Sequence, residues 1–70
     1  MQFRETIYSQ VRPAEKMLSV ESHAEAFKYA CNLFHQDTDA VSIMQTIFKN
    51  GKSEISICTK RKLIIKIQSL

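Results

Sequence analysis

The residues best suited to metal binding or nucleophilic attack are two cysteines, two histidines and seven carboxylates. Cys31 and His35 are four apart, a spacing that sets two ligands on one side of a helix, and His23 and Cys58 can complete a set. Structural zinc sites usually supply tight Cys-pair or His-pair spacings, and this chain has none. Cys31 also falls on an apolar stripe, which marks it as a small core residue. A Cys–His nucleophile pair lacks a third group to orient the base and a pocket to hold a substrate. Asp37 and Asp39 flank Thr38 in a polar break, where carboxylates start turns more often than they move protons. His23 directly follows a helix cap and is expected to be exposed. A single glycine excludes a Gly-rich phosphate loop. The expectation is a protein without catalytic residues, metal or cofactor, which acts through its surface.

That surface is basic at one end of the sequence. The net charge is +3. In residues 1–36, Arg4, Arg12, Lys16 and Lys28 cancel against Glu5, Glu15, Glu21 and Glu25. From Lys49 onward, Lys49, Lys52, Lys60, Arg61, Lys62 and Lys66 face only Glu54. Charge grouped in this way attracts phosphate backbones or an acidic protein surface. Lysines on strand edges also block aggregation, so a solubilising rim is the alternative reading.

The elements that must position these residues follow from periodicity. Residues 2–11 alternate, with Phe3, Ile7 and Val11 one way and Arg4, Thr6 and Tyr8 the other, which predicts a strand that Pro13 ends. Residues 17–21 alternate again as a short second strand. Ser22 and Glu25 form a capping box, and Ala26, Phe27, Ala30, Cys31 and Phe34 line one face of a helix over 22–36. A single helix from Pro13 to Gln36 is the rival. After Asp37-Thr38-Asp39 come strands over 41–48, 53–59 and 63–67.

Asn50-Gly51 signals a hairpin. A three-residue loop with Gly51 left-handed pairs Phe48 with Lys52 and collects Val41, Ile43, Ile47, Ile55 and Ile57 on one face. Three loop residues at Lys60-Arg61-Lys62 likewise align Ile55 with Ile67 and Ile57 with Ile65. The fold class is α+β: an antiparallel sheet of four or five strands with one helix packed on one face, in the order ββαβββ. Phe27, Ala30 and Phe34 are expected to cover Ile43, Ile55, Ile57 and Ile65. The outer face then carries Met44, Phe48, Lys52, Glu54, Cys58, Ile64, Lys66 and Gln68. Lysines around an exposed Phe48, with Tyr8 as a second aromatic, suit single-stranded nucleic acid or an acidic partner. The alternative is a homodimer contact through Met44, Phe48 and Ile64.

Seventy residues and 8.1 kDa predict one domain over 1–70. A composition of 44% hydrophobic and 24% charged residues excludes a disordered tail. No apolar run reaches the ~18–20 residues of a membrane helix, and no signal peptide is expected. Two cysteines are too few for a secreted disulfide scaffold, so a reducing cytoplasm is expected.

Glu21-Ser22, then Ala26 and Ala30, then the Asn50-Gly51 hairpin and the basic final strands together resemble small phage-encoded anti-CRISPR proteins. That resemblance implies an antiparallel sheet with one helix, no cofactor, and a stoichiometric inhibitor that binds type I CRISPR surveillance complexes in an infected bacterial host. The sequence thus carries three expectations. The first is an inhibitor docking on a host protein or ribonucleoprotein complex through Lys49, Lys52, Lys60, Arg61, Lys62, Lys66, Phe48 and Lys28. The second is a regulator that holds DNA or RNA directly, and the third a self-pairing structural domain.

Overall fold

A computed structural model describes residues 1–8 and 11–70. The order is β1 (Gln2–Ile7), β2 (Ala14–Ser19), α1 (His23–Gln36), β3 (Ser42–Ile47), β4 (Ser53–Cys58) and β5 (Leu63–Ser69). The five strands form one antiparallel sheet ordered β2-β1-β5-β4-β3. The chain is thus α+β in the ββαβββ order, and residues 13–21 hold a strand rather than the first turns of a longer helix. The alternation at 2–11 breaks early. β1 stops at Ile7 and Val11 is fully exposed. Residues 9 and 10 lie outside the described residues.

The helix begins where its cap dictates. The Ser22 hydroxyl accepts from the Glu25 N–H at 3.2 Å, satisfying one of the backbone donors that a helix start leaves open. Asp37 ends it, and its side chain accepts from the Asp39 N–H at 2.9 Å, the local turn anticipated for these carboxylates.

Ala26 and Ala30, one turn apart, are fully buried, and their small side chains let α1 lie close on the sheet. Beneath are Ile55 and Ile57 on β4, paired with Ile67 and Ile65 on β5. Phe27 and Phe34 are only half-buried at the margin of this core, contrary to the central role expected of them. The largest side chain closed off from water is Phe3, on β1. A 14-residue helix crossing a five-stranded sheet leaves room at its flank, and Phe3 fills it.

Both hairpins near the C-terminus set the register. Phe48 pairs with Lys52 (N···O 2.7 Å) around Lys49-Asn50-Gly51, and Gly51 sits at φ +84°, the left-handed conformation that favours glycine. The second turn is tighter than expected. Thr59 donates to Lys62 O at 2.8 Å across a two-residue loop of Lys60-Arg61. A bulge next to Cys58 then restores the pairing of Ile57 with Ile65. Three loop residues and a two-residue loop plus a bulge give the same isoleucine register. They differ in Ile64, which the bulge draws into the core (4% exposed) instead of leaving it on the outer face.

Candidate basic interface

The six cations of the C-terminal half do not form one patch. Lys49 and Lys52 sit at the β3–β4 hairpin, with Phe48 beside them. Lys60, Arg61 and Lys62 sit at the far end of β4. Six residues of strand separate the groups, a distance of about 20 Å at the usual rise. Lys28 is exposed on α1, a different element from those that carry either group.

Between the two ends, the open face of the sheet is neutralised from within. One row across it reads Met17, Arg4, Gln68, Glu54, Thr46, and the next Glu15, Thr6, Lys66, Ser56, Met44. Lys66 donates to Glu54 at 2.8 Å, and Gln68 donates to the same carboxylate oxygen at 3.4 Å. The hydrogen bond it donates to Glu54 holds the Lys66 ammonium pKa above its ordinary value. Arg4 lies 3.4 Å from Glu15. Lys66 is therefore an ion-paired strand residue rather than a free phosphate ligand. Tyr8 and Phe48 stand at opposite ends of the sheet, too far apart to stack neighbouring bases.

The Lys60-Arg61-Lys62 turn is different. All three residues are exposed, and among the described residues none joins an ion pair. The Thr59 hydroxyl holds the turn by accepting from the N–H groups of Arg61 and Lys62, both at 3.3 Å. The β1–β2 connection, which carries Arg12, reaches this same end of the sheet, because Ile7 and Ala14 pair beside Ile65. Arg12 belonged to the balanced N-terminal half of the sequence, and only the strand order reveals where it lies. A cleft of about 670 Å³ opens alongside, lined by Thr38, Asp39, Val41, Thr59 and the three cations. Three positive charges, one carboxylate and two threonine hydroxyls can bind an anionic, hydrogen-bonding surface.

Two buried polar pairs were not anticipated. Glu5 takes a core position between Phe3 and Ile7 and is buried, and the Tyr29 hydroxyl donates to its carboxylate. A glutamate breaking the apolar alternation of β1 was the available signal. Burial, reinforced by the bond to Glu5 and its charge, raises the Tyr29 phenol from 10.0 to about 12. Below pH 10 the phenol is protonated in both the folded and unfolded chain, and the bond contributes fully. Between pH 10 and about 12 the unfolded chain ionises first, so stability falls as pH rises through that window. Tyr29→Phe should cost about 1–3 kcal/mol by leaving Glu5 without its donor. It should also remove a late-titrating phenol from the tyrosinate absorbance curve. A wild-type curve with no phenol titrating above the ordinary range would contradict the assignment.

His23 is half-buried, not exposed as expected. Its Nδ1 lies 2.7 Å from the Ser53 hydroxyl, and its ring meets Phe3 edge-on with centroids 5.9 Å apart. A histidine–serine contact is half of a nucleophile–base pair, but Ser53 is 2% exposed. Its N–H and carbonyl are both bound to the Ser69 hydroxyl. A substrate has no approach, and the pair fastens the helix start to β4 and β5.

Cys31 and Cys58 are free thiols on different elements. Among the described residues, no three His, Cys, Asp or Glu side chains are grouped to hold a metal ion. No helix among them is long and apolar enough to cross a membrane. No protein-family model, curated protein or solved structure matches the chain.

Proposed function

We propose that this chain is a non-enzymatic, stoichiometric inhibitor that docks its Lys60-Arg61-Lys62 end on a nucleic-acid-binding complex of a bacterial host. The resemblance in sequence points to a type I CRISPR surveillance complex as the class of target. The observation that carries the reading is the turn itself. Three consecutive cations, outside every ion pair among the described residues, are held on a short, hydrogen-bonded loop beside a polar cleft, while Lys66 on β5 is tied up internally. A fixed loop loses little entropy on docking, and grouped charge speeds encounter with an anionic target. The reading also accords with a small fold whose one histidine–serine contact is closed to substrate.

The test is a target-loading assay. Adding the protein to a purified surveillance complex should abolish loading of target DNA at about one equivalent per binding site, while DNA alone should show no mobility shift. A shift of DNA alone that weakens steeply with salt, through counterion release, would replace this reading with direct nucleic-acid binding. Undiminished loading of the complex at excess protein would refute the inhibitor reading.

A further inference from the structure

We propose that the basic end of the sheet takes an acidic protein segment with one apolar anchor residue, and that the anchor sits in a groove between α1 and β1. The proposal deepens the docking reading above by naming the chemistry of the surface met at this end, and rests on it for the use of that end. The groove follows from how the helix lies. α1 runs along β1: His23 meets the ring of Phe3, Tyr29 donates to Glu5, and the last turn lies beside Ile7. Phe3, Glu5 and Ile7 share one face of the strand. At the start of the helix the large, fully buried Phe3 closes the gap between the two elements. At its end the smaller Ile7 leaves a groove of about 390 Å³ open. Buried Ile64 and Ile65 line it from β5, and half-buried Ile7 and Leu33 are its other apolar walls. Gln36, Asp37 and Thr38 form its polar side. Thr38 also lines the cleft beside Lys60-Arg61-Lys62, so the apolar groove and the basic cleft adjoin.

The charges around the groove select its occupant. Lys60, Arg61, Lys62 and Arg12 gather at this end, against the carboxylates of Asp37 and Asp39. Asp37 is engaged with the Asp39 N–H, which leaves the Asp39 carboxylate facing the cleft as an acceptor. The balance attracts an acidic partner. A nucleic-acid strand suits the surface poorly. Its phosphates accept hydrogen bonds and repel Asp39, and its bases need a flat aromatic to stack on, where the groove offers only aliphatic walls. A peptide meets all three demands. Its carboxylates pair with the cations, its backbone N–H groups donate to Asp39, and its apolar side chain displaces water from the groove.

The test uses the full chain alone, without a surveillance complex, so this proposal and the inhibitor reading can fail separately. Selection of a displayed library of random peptides against the immobilised protein should enrich sequences with several carboxylates next to a Leu, Ile, Met or Phe. The best of them, made synthetically, should lose about tenfold or more in affinity when that anchor is replaced by Ser, the loss expected when one apolar side chain no longer leaves water. Bound to the wild type, it should shift the amide signals of Leu33, Thr38 and Ile65 together with those of Lys60, Arg61 and Lys62, a readout that needs no variant. Leu33→Gln should weaken the peptide by a similar factor. Gln36→Asp, a change at an exposed position, should weaken it by repelling the peptide's carboxylates. A selection that yields no such binder, an anchor replaceable without loss, or shifts confined to the turn would overturn the proposal. So would a single-stranded oligonucleotide that displaces the peptide at equal concentration and is indifferent to Leu33→Gln, a result that assigns this end to nucleic acid.

Discussion

Phe3→Ala should cost about 3–5 kcal/mol, the range for emptying a fully buried phenylalanine site. A domain of this length has a total stability of roughly 4–10 kcal/mol, so the variant should be largely unfolded or melt far below the wild type. Phe3 has no exposed surface and packs among Leu18, the isoleucines of β4 and β5 and the edge of the His23 ring. The cavity cannot collapse easily, because β1 is held on both sides, by β2 and β5. Phe34→Ala, at the half-buried margin, should cost only about 1–2 kcal/mol by its smaller loss of buried area. The comparison is made by thermal or urea unfolding of both variants. Equal losses, or a larger loss at Phe34, would show that the helix, rather than the β1 anchor, dominates the core.

That ordering shows where the sequence was legible. Helix, strands and hairpin register came from side-chain spacing, because each element has one periodicity and a one-residue slip would strand the isoleucines on the wrong face. Ser22 and Gly51 marked their boundaries by local chemistry, which needs no knowledge of the rest of the fold. Burial depth was different. Phe3, Phe27 and Phe34 are the same residue type on correctly assigned faces, and only the position of α1 across the sheet decides which one is enclosed. The bulge next to Cys58 was hidden because it and a longer loop give identical isoleucine pairs.

The candidate site was legible as a list of cations and not as a surface. Lys49 and Lys60 are close in sequence, yet a single strand carries them to opposite ends. Arg12 is remote in sequence and shares an end with Lys62. Glu54 was visible as the lone opposing charge, and the isoleucine register already set Ser56 opposite Lys66 on the same face; the ion pair is a diagonal contact across β4 and β5 that only the direction of the side chains decides. Glu5 showed only as a break in the alternation of β1, and neither its partner Tyr29 nor the contact of His23 with Ser53, each between distant elements, has a local spacing signature.

Replacing Lys60, Arg61 and Lys62 together by Ala should abolish docking while leaving the fold intact. The three side chains are exposed and lie outside every described ion pair, so their removal should change stability by no more than about 0.5 kcal/mol each. The Thr59 hydroxyl accepts from backbone N–H groups, which alanine retains, so the turn should keep its shape. Unchanged circular dichroism and melting would confirm that point before any binding is measured. Docked charge pairs are each worth about 1.5 kcal/mol or more when desolvated, so losing three should weaken binding by a factor of a thousand or more. The control is Lys66→Ala, which removes a cation already bound to Glu54. It should reduce binding little, since that ammonium faces the open sheet and not the cleft. If Lys66→Ala and the triple variant weaken binding equally, attraction depends on net charge alone and the turn has no special place in it. If the triple variant still blocks DNA loading at one equivalent, the docking surface lies elsewhere, and exposed Lys28 and Asn32 on α1 are the next residues to replace.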